Sequence, residues 1–436
     1  MEKIEGINEQ SDEDYTTETE SNHSMVKIIE EDLEDEILQL CEDYLQEYAI
    51  HMSSPDFYDQ MVEYIMTILF LETDSLVKKC VDYSYSIFQI PIRHYDEDYI
   101  PILNIIQIQK TLDSLSKIPQ PKQRTPEWYA YRHERFSASN VYKLFGSSAE
   151  YNSLIYEKCK HYEVFGGDGG ASNSNNPRNW GVKYEPVSVQ IYEHMFNTRV
   201  KSDYGCIPHP VYKFIAASPD GIVVDPESPR YGHMLEIKNI YNRKIDGIPF
   251  EKYWIQMQIQ METCNLDYCD FLETRFKEYD SEKEFYESTD REYKGVFLYF
   301  LPKPDHCGLA FFKYMPLYIS LDQWSIKKWI YEQQQENSNY FLYNTIYWYL
   351  DEISCVVVER NLHWIESAIP IMKMAWDIVE KERNDGYNHR APTKRTKKPI
   401  IMSDDNNTTD ESKRCNMMSM QNSVCLIKLD ENGDII

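Results

Sequence analysis

Between residues 200 and 240 the apolar positions stop recurring every three or four residues and begin to alternate, and this change of period constrains the fold more than any other feature. Segments 200–207, 214–217, 221–224 and 234–240 are short and strand-like. The intervening stretch 225–232, DPESPRYG, is rich in turn formers and is expected to join two antiparallel strands. Helical periodicity returns on both sides, over 181–196 and 249–264, and a further strand-like run follows at 268–276. Helix, a run of strands, helix, strand is the order of an α/β or α+β core built on a mixed sheet.

The flanks read differently. Residues 1–24 are charged and polar and are expected to form a disordered acidic tail. From Met25, Ile29, Leu33, Ile37, Leu40 and Tyr44 recur at helical steps. Ser54-Pro55-Asp56 reads as a helix start, with Ser54 as cap and the helix running to 71, and another helix is expected over 75–88. These make an acidic helical domain over 25–117. A linker at 118–126 leads into Thr125-Pro126-Glu127, which opens a helix, and Ser137-Ala138-Ser139-Asn140 caps the next, through 145. A Gly/Ser/Asn-rich loop occupies 166–177. Residues 277–293 read as an exposed charged insertion and 296–301 with 309–314 as an added hairpin. Helices are expected over 322–350 and 359–383. The organisation that follows is a core domain at 118–320, a C-terminal helical region at 321–384 and a disordered tail at 385–436.

The formal net charge of −27 excludes a protein that simply coats nucleic acid. The charge is uneven. Residues 1–120 carry 7 basic and 27 acidic side chains, whereas 121–252 carry 17 and 15. A nucleic-acid site, if there is one, belongs in that middle segment. The ten cysteines show no CxxC spacing, which argues against a zinc or iron–sulfur site. The first twenty residues are unlike a secretory leader, so reduced thiols and an intracellular location are expected. No run reaches the roughly 18 apolar residues that a membrane helix needs.

Ser218-Pro219-Asp220-Gly221 is followed by Leu235-Glu236-Ile237-Lys238. Alternation along a strand puts Glu236 and Lys238 on one face. If the two strands pair through the 225–232 turn, Asp220 meets Glu236. Two carboxylates aimed at one point call for a cation, and hard oxygen ligands favour Mg2+ or Mn2+. Such an ion polarises a phosphoryl oxygen and acidifies water, and Lys238 beside it could orient that water. Glu185, in GVKYE, can supply a third carboxylate. Tyr253, Gln256 and Gln260 share one helix face. Arg132 and Ser139 offer donors for a phosphate.

Five segments in order, WYAYRHERFSAS (128–139), GVKYE (181–185), SPDG (218–221), LEIK (235–238) and YWIQMQ (253–258), resemble the lambda-exonuclease-like, or YqaJ viral recombinase, family of the PD-(D/E)XK nuclease superfamily. The resemblance covers roughly residues 121–276. It implies a restriction-endonuclease-like core with a mixed sheet flanked by helices. It further implies metal ligation by Asp220, Glu236 and the Ile237 carbonyl, water positioning by Lys238, support from Glu185 and Gln256, and capture of a terminal 5′-phosphate by Arg132, Ser139 and Ser218. Processive 5′-to-3′ digestion of duplex DNA, often by a ring-shaped trimer working with a single-strand annealing partner, is the activity of that family. The chain departs from it at Asn239-Ile240, where Cys-Pro often follows the lysine. Its tyrosine-rich composition and acidic additions are reminiscent of large DNA viruses, which would place the protein in host cytoplasm, nucleus or virion. An endonuclease of the same fold and a non-catalytic DNA-processing scaffold are the competing readings. The basic stretch 394–398 reads as a solvated tail.

Overall fold

A computed structural model describes residues 13–91, 102–121, 125–162 and 177–392. The chain opens with helices α1 (Glu13–Tyr48), α2 (Phe57–Leu69), α3 (Ser75–Ile87) and α4 (Ile105–Leu115). α5 (Pro126–His133), β1 (Phe136–Ser137), α6 (Ala138–Val141), α7 (Ser148–Cys159) and α8 (Pro177–Met195) follow. Next come β2 (Val200–Lys201), β3 (Ile207–Pro208), β4 (Ile215–Ala217), β5 (Gly221–Val223), β6 (Met234–Asn239), α9 (Glu251–Cys264) and β7 (Tyr268–Glu278). The chain continues through α10 (Glu282–Glu287), β8 (Lys294–Pro302), β9 (Phe311–Tyr314), α11 (Gln323–Glu336), β10 (Tyr340–Glu359) and α12 (Leu362–Asp385).

The main sheet has seven strands in the order β2-β5-β6-β7-β10-β8-β9. Within this sheet, among the described residues, only β6 and β7 pair in parallel, with α9 as the crossover between them, as a parallel pair requires. β5 and β6 form the expected antiparallel pair across the 225–232 turn. A small sheet, β1-β4-β3, carries the chain into this region. The mixed sheet flanked by helices is the α/β architecture of a PD-(D/E)XK-like core.

Local chemistry explains several elements. Thr125 caps α5, its hydroxyl accepting from Trp128 N at 3.3 Å, with Pro126 in the first turn as its fixed φ favours. α6 starts where Asn140 Oδ1 accepts the Ser137 N–H at 3.0 Å. α2 begins after Asp56, so Ser54 is not its cap.

Three expectations need correction. Residues 322–350 are not all helix: α11 ends at Glu336, and β10 then runs for 20 residues, bonded to β7 on one side and β8 on the other. Its sequence, YFLYNTIYWYLDEISCVVVE, is aromatic and β-branched, and two neighbouring strands satisfy its backbone. Residues 277–293 are not merely an exposed insertion, because β7 extends to Glu278 and α10 buries Phe285 completely against Val296, Leu298 and Trp329. α1 starts at Glu13, so 13–24 are helical; residues 1–12 lie outside the described residues, as do 163–176 and everything after 392.

One apolar cluster joins Ile37, Leu45, Met61 and Val81 of the first helices to Trp254 of α9 and Trp364 of α12. The described residues up to Ala391 form one compact unit. Among the described residues the cysteines are free, and no helix is long and apolar enough to cross a membrane.

Candidate active site

The β5–β6 hairpin assembles the site. Gly221 pairs with Leu235, so the register continued by one residue sets Asp220 against Glu236. The Ile237 N–H donates to Asp220 Oδ2 at 2.8 Å and pins the carboxylate at the mouth of β6. A strand residue's N–H and C=O leave on the same edge, so the Ile237 carbonyl also points toward Asp220. Leu235 and Ile237 face the other way and pack with Tyr192, Val223 and Leu272. Gly221 is needed for close approach: a Cβ there would sit 2.3 Å from Val200 Cγ1.

α9 completes the surroundings of Glu236, which is only 1 % exposed. Gln256 Nε2 donates to its Oε1 and Gln260 Nε2 to its Oε2, each at 2.8 Å. Lys238 Nζ also donates to Oε1, and the ammonium lies 4.7 Å from the Tyr253 ring centroid. The two glutamines stand four residues apart on one helix face, and so reach the two oxygens of one carboxylate.

Burial raises the Asp220 carboxyl well above its ordinary range, and the charges of Glu236 and Glu185 push it the same way. Lys238 and the Ile237 N–H pull in the opposite direction but do not prevail. Burial works against the Lys238 ammonium, yet Glu236 and Asp220 hold its pKa above the ordinary lysine value. Lys238 is therefore a cation at neutral pH. It can donate and orient.

These groups line one cleft of about 610 Å³, together with Glu185, Arg132, Ser137, Ser139, Ser218 and Arg243. At its far wall Arg132 Nη2 donates to Ser139 Oγ at 3.1 Å, and Ser139 stands 3.2 Å from Ser137 Oγ. The Arg132 guanidinium lies 4.4 Å from the Trp128 ring centroid. Ser218 reaches the cleft, but its hydroxyl donates to the Gly205 carbonyl, so it is less suited as a phosphate donor than its motif suggests. Ser137, which the sequence marks only as a cap, and Arg243 also line the cleft. Arg243 sits five residues beyond Lys238, where the Arg243-Lys244 pair was the available signal; it donates to buried Glu273 and lies 4.6 Å from the Phe250 ring centroid.

Among the described residues no three Asp, Glu, His or Cys side chains are grouped tightly enough to hold a metal by themselves. The donors at hand are two carboxylates, Asp220 and Glu236, and the Ile237 carbonyl. That set suits magnesium, which is commonly held by one or two carboxylates and retains several waters. Asp220, Glu236 and Glu185 are close enough to raise the Asp220 carboxyl together, and a cation between them would relieve that repulsion.

An Asp just before one strand, with Glu-X-Lys on the neighbouring strand, is the arrangement that the sequence resemblance implies. Residues 127–267 match the family model of the YqaJ-like viral recombinase domain. An uncharacterized protein of Acanthamoeba polyphaga mimivirus is 29 % identical over 323 residues, which are 65 % of this chain and 57 % of that protein's length. Among solved structures, the alkaline exonuclease of Laribacter hongkongensis is 19 % identical, with 59 % of this chain and 94 % of that one covered at a TM-score of 0.34. A phage-related exonuclease from Haemophilus somnus 129PT is 15 % identical, with 57 % and 94 % covered at a TM-score of 0.32.

Proposed function

We propose that this protein is a magnesium-dependent exodeoxyribonuclease that hydrolyses duplex DNA from 5′-phosphorylated ends. The observation that carries the reading is the convergence of Asp220, Glu236 and Lys238 in one cleft that also holds Arg132 and Ser139.

Asp220, Glu236 and the Ile237 carbonyl would hold the ion. A bound Mg2+ would polarise the scissile phosphoryl group and acidify a water. Lys238, held as an ammonium, donates toward the attacking water and offsets charge gathering on the phosphorus oxygens. Gln256 and Gln260 keep both Glu236 oxygens in place, which removes a reorganisation cost at the moment of reaction. Glu185 adds negative charge to the same wall. Arg132 and Ser139 present a guanidinium and a hydroxyl to a terminal phosphate, which would set the register of the strand being cut.

Incubation with end-labelled linear duplex and with covalently closed circular duplex, with magnesium or with chelator, tests the reading. The expected result is digestion of the linear form alone, only with magnesium, releasing a 5′ label before a 3′ label. Cleavage of circles lacking ends would replace it with an endonuclease.

A further inference from the structure

Behind Arg132 lies a second hollow, of about 410 Å³, that shares Trp128, Arg132 and Ser137 with the main cleft and is otherwise lined by residues including His133, Asn140, Lys158 and Tyr162. Lys158, on α7, is 3 % exposed. Its ammonium donates to the Arg132 carbonyl at 3.0 Å and has Glu157 Oε1 at 3.7 Å. The α7 backbone is held in turn: Arg383 of α12 donates to the Lys158 carbonyl through Nε (3.0 Å) and Nη2 (2.8 Å), and through Nη1 to Glu134 (2.7 Å). A chain of donors therefore runs from α12 through α7 to the last turn of α5, where Arg132 leaves for the cleft.

A buried lysine beside two arginines is costly. A methionine or leucine would fill the same space without desolvating a charge or facing like charges. Stability alone does not call for an ammonium here. A donor to the carbonyl of an anion-binding arginine does have a use: it fixes the backbone from which the guanidinium reaches, and it adds positive potential behind it.

We infer that Lys158 is a positioning residue for end recognition, setting Arg132 from behind so that the cleft selects a 5′-phosphate over a 5′-hydroxyl. This rests on the exonuclease reading above. The groups facing Lys158 are Arg132, His133 and Glu134 of α5, Glu157 of its own helix, Arg383 of α12, and Cys206 before β3. Burial, aided by Arg132 and Arg383 and opposed by Glu157, lowers the lysine to about 8.

Fluorescence anisotropy of the full-length protein on duplexes with 5′-phosphoryl or 5′-hydroxyl ends, in chelator, reads the selection without turnover. The wild type is expected to prefer phosphoryl ends roughly tenfold at pH 7, the scale of one charge-assisted contact. Lys158→Met should bring the ratio near one, and Lys158→Arg should keep it. Raising the pH through about 8 should erode the wild-type ratio as Lys158 loses its proton. The ratio of Lys158→Arg should stay flat, since arginine does not titrate there. If Lys158→Met does not fold, that pair of pH series decides. A Lys158→Met protein with the wild-type ratio, a wild type with no preference, or matching pH series would overturn the inference. Phosphoryl preference in a wild type that digests nothing with magnesium would end the exonuclease reading alone; digestion without the preference would end this inference and the 5′-phosphate role of Arg132 and Ser139, and leave magnesium-dependent digestion standing.

Discussion

Gln260 donates to Glu236 Oε2 at 2.8 Å, from one helical turn beyond the Gln256 that serves the other oxygen. Removing it leaves a buried carboxylate oxygen without its donor. Gln260→Leu is expected to lower kcat about tenfold, the scale of one lost hydrogen bond to a charged group, with KM little changed. Stability should fall as well, because Glu236 Oε2 is left buried without its donor. Steady-state kinetics beside a thermal melt separates the two effects.

The raised Asp220 carboxyl makes stability depend on pH. Its folded pKa lies above the unfolded value of about 3.9, so between the two the folded state binds more protons. Asp220 therefore favours folding at low pH, and that contribution is lost as pH rises through the window. In chelator, Tm should fall with rising pH more steeply for the wild type than for Asp220→Asn. At neutral pH the variant should melt higher. Magnesium should raise the wild-type Tm and leave Asp220→Asn nearly unmoved, as linkage requires for an ion that binds only the folded state. Calorimetry across pH, with and without magnesium, reads all three outcomes.

Arg132 and Ser218 should separate. Arg132→Gln is expected to lower kcat/KM on 5′-phosphorylated ends about tenfold or more, with little effect on 5′-hydroxyl ends. Ser218→Ala should change that selectivity far less, since its hydroxyl is engaged by the Gly205 carbonyl. Competition between the two end types in one digestion gives the ratio directly.

Trp364 ties the helical flanks to the centre. It is fully buried, its ring lies 5.2 Å from Trp254 and 5.5 Å from Phe145, and its Nε1 donates to the Ile50 carbonyl at 3.0 Å. Trp364→Ala should cost about 3–5 kcal/mol, and denaturant unfolding should still show one transition. A separate transition for the N-terminal helices would contradict the shared core.

The candidate site was readable because its geometry is local. Asp220, Glu236 and Lys238 meet through a single hairpin, and its turn chemistry and period of two are visible in the residues themselves. Gln256 and Gln260 follow from helical spacing. β10 was lost because a run such as YFLYNTIYWYL suits either period, and pairing with β7 and β8, far away in sequence, decides between them. Whether the N-terminal helices own a core or share one is likewise a long-range matter, settled by contacts such as Trp364 with Ile50. Lys158 belongs to no motif and Arg243 is marked only by its neighbour Lys244, and only folding shows what they stand behind. Ser218 matched its motif, but its hydrogen-bond partner, the Gly205 carbonyl, could not be read from the motif.

The most direct measurement is the digestion rate of a 5′-phosphorylated linear duplex by wild type, Asp220→Asn and Lys238→Ala, each with magnesium and with chelator. The expected result is magnesium-dependent digestion by the wild type and a loss of at least about a thousandfold in both folded variants, the scale of removing a principal charge-stabilising group. Either variant digesting at the wild-type rate would contradict a shared ion between Asp220 and Glu236 with Lys238 beside it.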